Sequence, residues 1–269
     1  MAEDGWPKPK NGGYFKVAQW WLVANQHYTD QGKIDPNVTN GIYFTNVYGE
    51  YGITEKLTGT VYFPFFARSL FNNTVSSTTG EILQAGEAIN SIGDLDLGLR
   101  YNLFQKGSTA LSVGLQLGLP LGETAGGSEG VLQTGDGEFN QFLSIEVGQG
   151  LKFGSVNGWS KAYLGFNNRT EGFSDEFRYG VEAGVTVFKQ KVSLIGRLYG
   201  VESFNNGILA SEATGTSIFA NNTEHLTIAP EVAFHFNEKM GISAGFAKPL
   251  SGRLIYANTA YSVGVFYQW

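Results

Sequence analysis

The chain has 269 residues, of which 37 are Gly, 14% are aromatic and none is Cys, and it carries a formal net charge of −6. A mildly acidic chain without a basic cluster cannot neutralise a phosphate backbone, so a nucleic-acid partner is excluded. The length suits one barrel as well as one or two soluble domains, and no apolar run reaches the roughly 18 residues of a membrane-crossing helix; the protein is either soluble or spans a bilayer as strands.

Residues 1–12 are polar, include Pro7 and Pro9, and read as a short N-terminal tail on the periplasmic side, too short for a plug domain. The start lacks the apolar region of a signal peptide, so the expectation is that an export signal has been removed ahead of Ala2. Residues 13–269 then form a single unit. Tyr14 to Tyr28 is the first strand candidate, and because Trp20 and Trp21 are adjacent, one of them must face inward. A polar loop follows from Thr29 to Gly41. In the next strand Tyr43, Thr45, Val47, Gly49 and Tyr51 alternate with Phe44, Asn46, Tyr48 and Glu50. Past the tight turn Thr54-Glu55-Lys56, Gly59, Val61, Phe63, Phe65 and Ala67 oppose Thr58, Thr60, Tyr62, Pro64, Phe66 and Arg68, and a long polar loop covers Ser69 to Ser91.

The clearest stretch is Gly93 to Pro120. Leu95, Leu97, Leu99, Tyr101 and Leu103 occupy every second position, with Asp94, Asp96, Gly98, Arg100 and Asn102 between them. After a short turn, Leu111, Val113, Leu115, Leu117 and Leu119 oppose Ala110, Ser112, Gly114, Gln116 and Gly118. A period of two means strand. The charged face must be solvated or paired while the leucine face is buried, and a closed barrel with lipid outside satisfies both.

Beyond the loop Leu121 to Gly137, Leu143, Ile145 and Val147 oppose Phe142, Ser144 and Glu146, and Ala162, Leu164 and Phe166 oppose Trp159, Lys161, Tyr163 and Gly165. After a loop from Asn167 to Asp175, Phe177 to Val187 alternates with Glu176, Arg178, Gly180, Glu182 and Gly184. Val192 to Tyr199, Leu226 to Phe236, Ile242 to Phe246 and Tyr261 to Trp269 complete the strands, with a long loop from Asn205 to Glu224. The expected fold is all-β: a transmembrane antiparallel up-and-down barrel of about 12 strands, with long extracellular loops, short periplasmic turns and both termini periplasmic. Tyr51, Tyr101, Phe188, Phe236, Tyr267 and Trp269 fall at the level of one interfacial aromatic girdle. Pro64 and Pro230 lie inside strands of a wall without edges, which predicts bulges or a rim position.

Several segments resemble an outer-membrane family named for the meta pathway of phenol degradation. The carriers are Glu50-Tyr51-Gly52-Ile53-Thr54-Glu55-Lys56-Leu57, Gly93-Asp94-Leu95, Leu99-Arg100-Tyr101, Leu117-Gly118-Leu119-Pro120-Leu121-Gly122 and Thr134-Gly135-Asp136. The resemblance implies transport of hydrophobic or aromatic nutrients across the outer membrane and transfers no substrate residue.

The inward phase collects candidate pore-lining charges at Glu50, Arg68, Asp94, Asp96, Arg100, Glu146, Lys161, Glu176, Arg178, Glu182, Arg197 and Glu231, together with His225 and His235. Such mixed signs suit ion pairs that either brace a narrow interior or select solute. The candidate inner aromatics are Tyr48, Tyr62, Phe66, Phe142, Trp159, Tyr163 and Tyr199. With three His in all and no matching serine motif, the reading is not an enzyme, with no catalytic residue, no cofactor and no metal. The Gly-rich loop, with Glu129, Asp136 and Glu138, lacks the Walker Lys and the repeat-type Asp spacing. The expected partners are outer-membrane lipid, a small-molecule solute and the barrel-assembly machinery, which would meet the C-terminal strand ending in Trp269. The functional expectation is a passive channel for small molecules, hydrophobic or aromatic compounds among them; the alternative is a closed structural barrel that presents its loops to a partner.

Overall fold

A computed structural model describes residues 6–210 and 217–269. The strands are β1 (Gly13–Tyr28), β2 (Ile34–Gly52), β3 (Leu57–Phe71), β4 (Thr74–Val75), β5 (Ile82–Gln84), β6 (Glu87–Ser91), β7 (Leu95–Lys106), β8 (Thr109–Leu119), β9 (Asn140–Phe153), β10 (Val156–Arg169), β11 (Glu176–Val187), β12 (Val192–Ser203), β13 (Glu224–Ile228), β14 (Glu231–His235), β15 (Met240–Arg253) and β16 (Ala260–Gln268). β4 and β5 pair only with each other. β6 and β7 both pair with β3 and act as one interrupted wall strand, as do β13 and β14 between β12 and β15. Pairing of β1 with β16 and of β11 with β12 closes the ring, so the architecture is the twelve-stranded antiparallel barrel that the alternation predicts.

The faces are inverted relative to a soluble sandwich. Leu97, Leu99, Leu115, Ile145, Val181 and Val265 stand exposed on the outside, whereas Glu50, Arg100, Ser112, Ser144 and Asn167 are buried inside. Trp20 turns inward and stacks on Phe44; its neighbour Trp21 turns outward and stacks on Tyr261. Tyr51, Tyr101, Phe188, Phe236, Tyr267 and Trp269 ring the outside at the short-turn end. Near the long-loop end Trp21, Tyr43 and Tyr261 form a second aromatic level, with Trp21 in register with both of the others.

One bulge changes which side chains face the lumen. Val47 pairs with Phe63 and Thr45 with Phe66, so Asn46 alone faces both Pro64 and Phe65. Pro64 has no N–H to give, and the extra residue absorbs it. Every side chain beyond the bulge changes face. Ala67 is therefore fully buried inside while Phe66 is 44% exposed outside. Arg68, in register with outward Tyr43, donates to Asn90 Oδ1 at 2.9 Å. The inward placement expected for Phe66 and Arg68 is thus corrected. Pro230 sits instead in the gap between β13 and β14 with no extra residue; Arg197 and Ala229 exchange both backbone bonds beside it, and Phe246 N donates to its carbonyl.

Strands also run further than the alternation suggests. β1 and β2 continue to a tight connection over Thr29 to Lys33, and β3 continues to Phe71, where β6 pairs with it. Backbone pairing above the apolar belt needs no alternation, so these extensions leave no periodic trace. Part of the loop expected from Asn205 to Glu224, residues 211–216, lies outside the described residues.

Candidate functional site in the lumen

In the short-turn half, side chains from eight wall strands and the N-terminal segment form two chains of ion pairs. Glu50 of β2, 2% exposed, meets Lys8 Nζ at 3.0 Å and Arg100 of β7 at 3.3 Å, and its Oε1 accepts from the Tyr48 hydroxyl at 2.6 Å. Arg100 continues to Glu146 of β9 at 3.7 Å, which meets Lys161 of β10 at 2.9 Å. Across β11, Glu182 accepts from Trp159 Nε1 at 2.8 Å and from Arg197 Nε at 2.6 Å. Arg197 then reaches Glu231 at 2.8 Å, and Lys16 of β1 reaches the same carboxylate at 2.7 Å. Lys161 and Glu182 are in register on neighbouring strands, so the two chains adjoin.

In the long-loop half the organising group is Arg169 at the end of β10. Its guanidinium donates to Glu138 at 2.6 Å, Glu176 at 2.8 Å and Asp136 at 3.1 Å, and lies 4.4 Å over the Phe173 ring. Arg178 takes the other oxygen of Glu176 at 2.7 Å and lies 5.6 Å from the centre of the Phe142 ring. Asp94, at the top of β7, accepts from the Gly122 N–H at 2.8 Å and the Asp136 N–H at 3.0 Å, and Thr134 Oγ1 donates to the Ile92 carbonyl at 2.8 Å. These bonds pin the loop of residues 120–139 to the wall at the break between β6 and β7. Asp96, one step further in, is in register with Tyr62 and Gly118.

Two cavities run along the lumen beside these polar groups. One, of about 420 Å³, is lined in part by Tyr48, Trp159, Ser193, Arg197, Glu231 and His235. The other, of about 500 Å³, is lined in part by Phe44, Tyr163, Glu176, Arg178, Ile218 and His225. They share Trp20, Tyr62 and Tyr199, and so abut at an aromatic level midway along the lumen. Tyr199 meets the His225 ring edge-on at 5.8 Å, and Phe142 meets Tyr163 edge-on at 6.5 Å. His235 shares a 3.0 Å hydrogen bond with Ser193, whose hydroxyl also bonds Thr186 at 3.0 Å.

Apart from Phe66 and Arg68, the sequence-predicted residues stand on the inner face, and the structure sorts them into these levels. Glu50, Arg100, Glu146, Lys161, Glu182, Arg197 and Glu231 share the ion-pair chains, while Asp94 and Arg178 belong to the loop seat. Sequence reasoning missed Lys8, Lys16 and Arg169. Lys16 is two and four residues from Ala18 and Trp20, so once Trp20 is known to face inward its phase follows. Arg169 lay in a stretch read as loop. Glu129 turns away from its loop neighbours to accept from Gln84, so the Gly-rich loop does not gather its carboxylates with Asp136 and Glu138.

The loop seat has a pH dependence of definite sign. Burial, reinforced by the neighbouring Glu138 and Asp94 carboxylates, pushes the Asp136 carboxyl up from 3.8 to about 7; Arg169 opposes this, but its charge is shared with Glu138 and Glu176. A raised carboxyl stabilises the seated loop fully below its free value of 3.8 and loses that contribution as pH rises through about 7. Amide exchange at Gly122 and Asp136 should therefore accelerate between pH 5 and 8 beyond the intrinsic base catalysis, by up to about a hundredfold over that window. In Asp136→Asn the excess should vanish, and an unchanged excess there would refute the assignment.

No protein-family model matches the chain, and no curated protein matches it. Among solved structures, an outer membrane channel from Pseudomonas putida F1 aligns over 100% of this chain and 99% of its own at 13% identity, with a TM-score of 0.66. The NanC porin covers 95% of this chain and 100% of its own at 8% identity and TM-score 0.53, and the β domain of the Bordetella autotransporter BrkA covers 97% and 100% at 11% and 0.51. One wall architecture thus recurs in a channel, a porin and an autotransporter, and at these identities the likeness shows the fold alone: the chain is a barrel of the outer-membrane type.

Proposed function

We propose that the protein is a channel of the bacterial outer membrane through which small molecules, aromatic ones among them, diffuse passively. The observation that carries this reading is the pair of abutting lumen cavities, lined by rings and charged groups, inside a wall whose outer face is a predominantly apolar belt. A belt of that kind is costly in water, at about 25 cal/mol per Å² of apolar surface, and hydrocarbon removes the cost. The two aromatic levels fit the two membrane interfaces, which puts the short turns in the periplasm and the long loops outside. Rings along the lumen offer stacking surface to an aromatic solute, and the charges beside them hold its polar groups. The strand β16, with Trp269 just beyond it, is the surface through which assembly machinery would engage the chain.

Two measurements test this. Purified protein in planar bilayers should give discrete conductance steps, and liposomes should take up small aromatic probes faster than sugars of equal size. With no current and no uptake of any probe, a closed barrel presenting its loops to a partner takes the place of the channel. Leu97→Arg probes the membrane placement: an arginine near the bilayer midplane should cost about 2–4 kcal/mol, while Tyr101→Arg, near the short-turn interface, should cost about 0–1 kcal/mol. Urea titration in lipid vesicles reads both, and equal small effects would argue against lipid contact.

A further inference from the structure

The N-terminal segment does not hang below the barrel; it folds back into it. Asn11 adopts a left-handed backbone with φ 64°, a conformation Asn tolerates better than most residues. Gly12 N donates to the Pro9 carbonyl at 2.8 Å, so the chain reverses just before β1. The reversal is anchored: Asn11 N donates to the Gly52 carbonyl at 2.8 Å, Trp269 Nε1 to the Asn11 carbonyl at 2.9 Å, and the Tyr51 hydroxyl to Asn11 Oδ1 at 2.9 Å. From this foot Pro9, Lys8, Pro7 and Trp6 run into the short-turn mouth. Lys8 is 8% exposed; its backbone N–H donates to Thr58 Oγ1 at 2.9 Å and its ammonium meets Glu50 at 3.0 Å. Arg100 Nη2 lies 3.3 Å from the Trp6 carbonyl.

Two features make this contact releasable. Pro7 and Pro9 have no N–H, so the segment cannot zip into the wall as a further strand. Glu50 also keeps Tyr48 and Arg100 when Lys8 leaves, so the lumen charge is not orphaned. Without Lys8, four cations (Lys16, Arg100, Lys161 and Arg197) face four carboxylates (Glu50, Glu146, Glu182 and Glu231) in the ion-pair chains. The segment leans on β1, β2, β3, β7 and β9, whereas the 420 Å³ cavity opens towards β12, β14 and β16. It therefore covers one side of the mouth.

We propose that residues 6–12 form a displaceable strap that half-closes the short-turn mouth through the Lys8–Glu50 contact, hinged at Asn11. The inference rests on the channel reading for its meaning, and its test separates the two. Three variants release the strap by different routes: a chain beginning at Lys10, Lys8→Met, and Gly52→Ala, where a Cβ would overlap the Pro9 carbonyl oxygen. The chain has no Cys, so Thr60→Cys on the inner face of β3 gives a single reporter above the strap. Release should raise the labelling rate of that thiol by a charged methanethiosulfonate about tenfold and single-channel conductance about twofold. Unchanged labelling in the truncated chain, with heat-modifiable gel mobility proving the barrel intact, overturns the strap. If neither wild type nor truncated protein conducts, the channel reading fails, and the labelling rate still decides for or against the strap.

Discussion

Replacing Arg169 by Ala should unseat the loop of residues 120–139 and cost on the order of 3–5 kcal/mol, the range for breaking a buried ion pair by removing one partner. The guanidinium side chain is 4% exposed and is shared by three carboxylates, of which Glu138 is fully buried and Glu176 is 5% exposed. Without it, Glu176 keeps Arg178, but Glu138 keeps only the Thr170 N–H and Asp136 faces Glu138 and Asp94 with no cation between them. Asp136 can then remain buried only by taking up a proton, so the cost should shrink as pH falls. Arg169→Lys restores the charge but not the fork that reaches three acceptors, and should recover about half of the loss. Urea unfolding gives the energy, and amide exchange at Gly122 and Asp136 reports the loop. A change within about 0.5 kcal/mol, with both amides still protected, would show that Asp94 and Thr134 hold the loop without Arg169.

How much of this was legible in the sequence depends on what leaves a periodic trace. Where one face meets lipid and the other the lumen, as in Leu95 to Asn102 against Ser112 to Leu119, alternation fixes strand, phase and register together. The phase fails at a single inserted residue, and nothing in Pro64-Phe65-Phe66 says which of the three is extra; only the partner strand, with Thr45 opposite Phe66, decides it. The lumen charges were readable because acids and bases alternate with leucines and valines. Arg169 was not, because it stands where the apolar belt has ended and its partners come from a loop 31 to 33 residues earlier. The fold-back of Lys8 was hidden for a different reason. A polar, Pro-containing stretch reads as a tail, and its destination is set by the depth at which Glu50 lies, which is a three-dimensional fact. The same logic explains why the lumen is harder to read than the wall: the wall repeats, whereas the groups that narrow it arrive singly.

Arg100→Ala should destabilise the barrel by about 3 kcal/mol, the lower end of the buried-pair range, and at the same time make it more permeable. The energy is lower than for Arg169 because both carboxylates keep a second cation: Glu50 retains Lys8, and Glu146 retains Lys161. The gain in permeability has two sources. The side chain is 5% exposed in the wild type, so truncation opens space among Glu50, Glu146 and the Trp6 carbonyl. It also removes a donor that holds the strap. The two sources separate in a double-mutant cycle with Lys8→Met. If Arg100 acts mainly by holding the strap, Lys8→Met should already deliver most of the conductance gain and the double variant should add little. If Arg100 is itself the constriction, the two gains should multiply. Arg100→Met, which fills similar volume without charge, sets the remaining comparison: near-wild-type stability with altered cation-to-anion permeability would mark the guanidinium as a selecting charge on the path, whereas unchanged permeability and lost stability would leave it a brace of the wall.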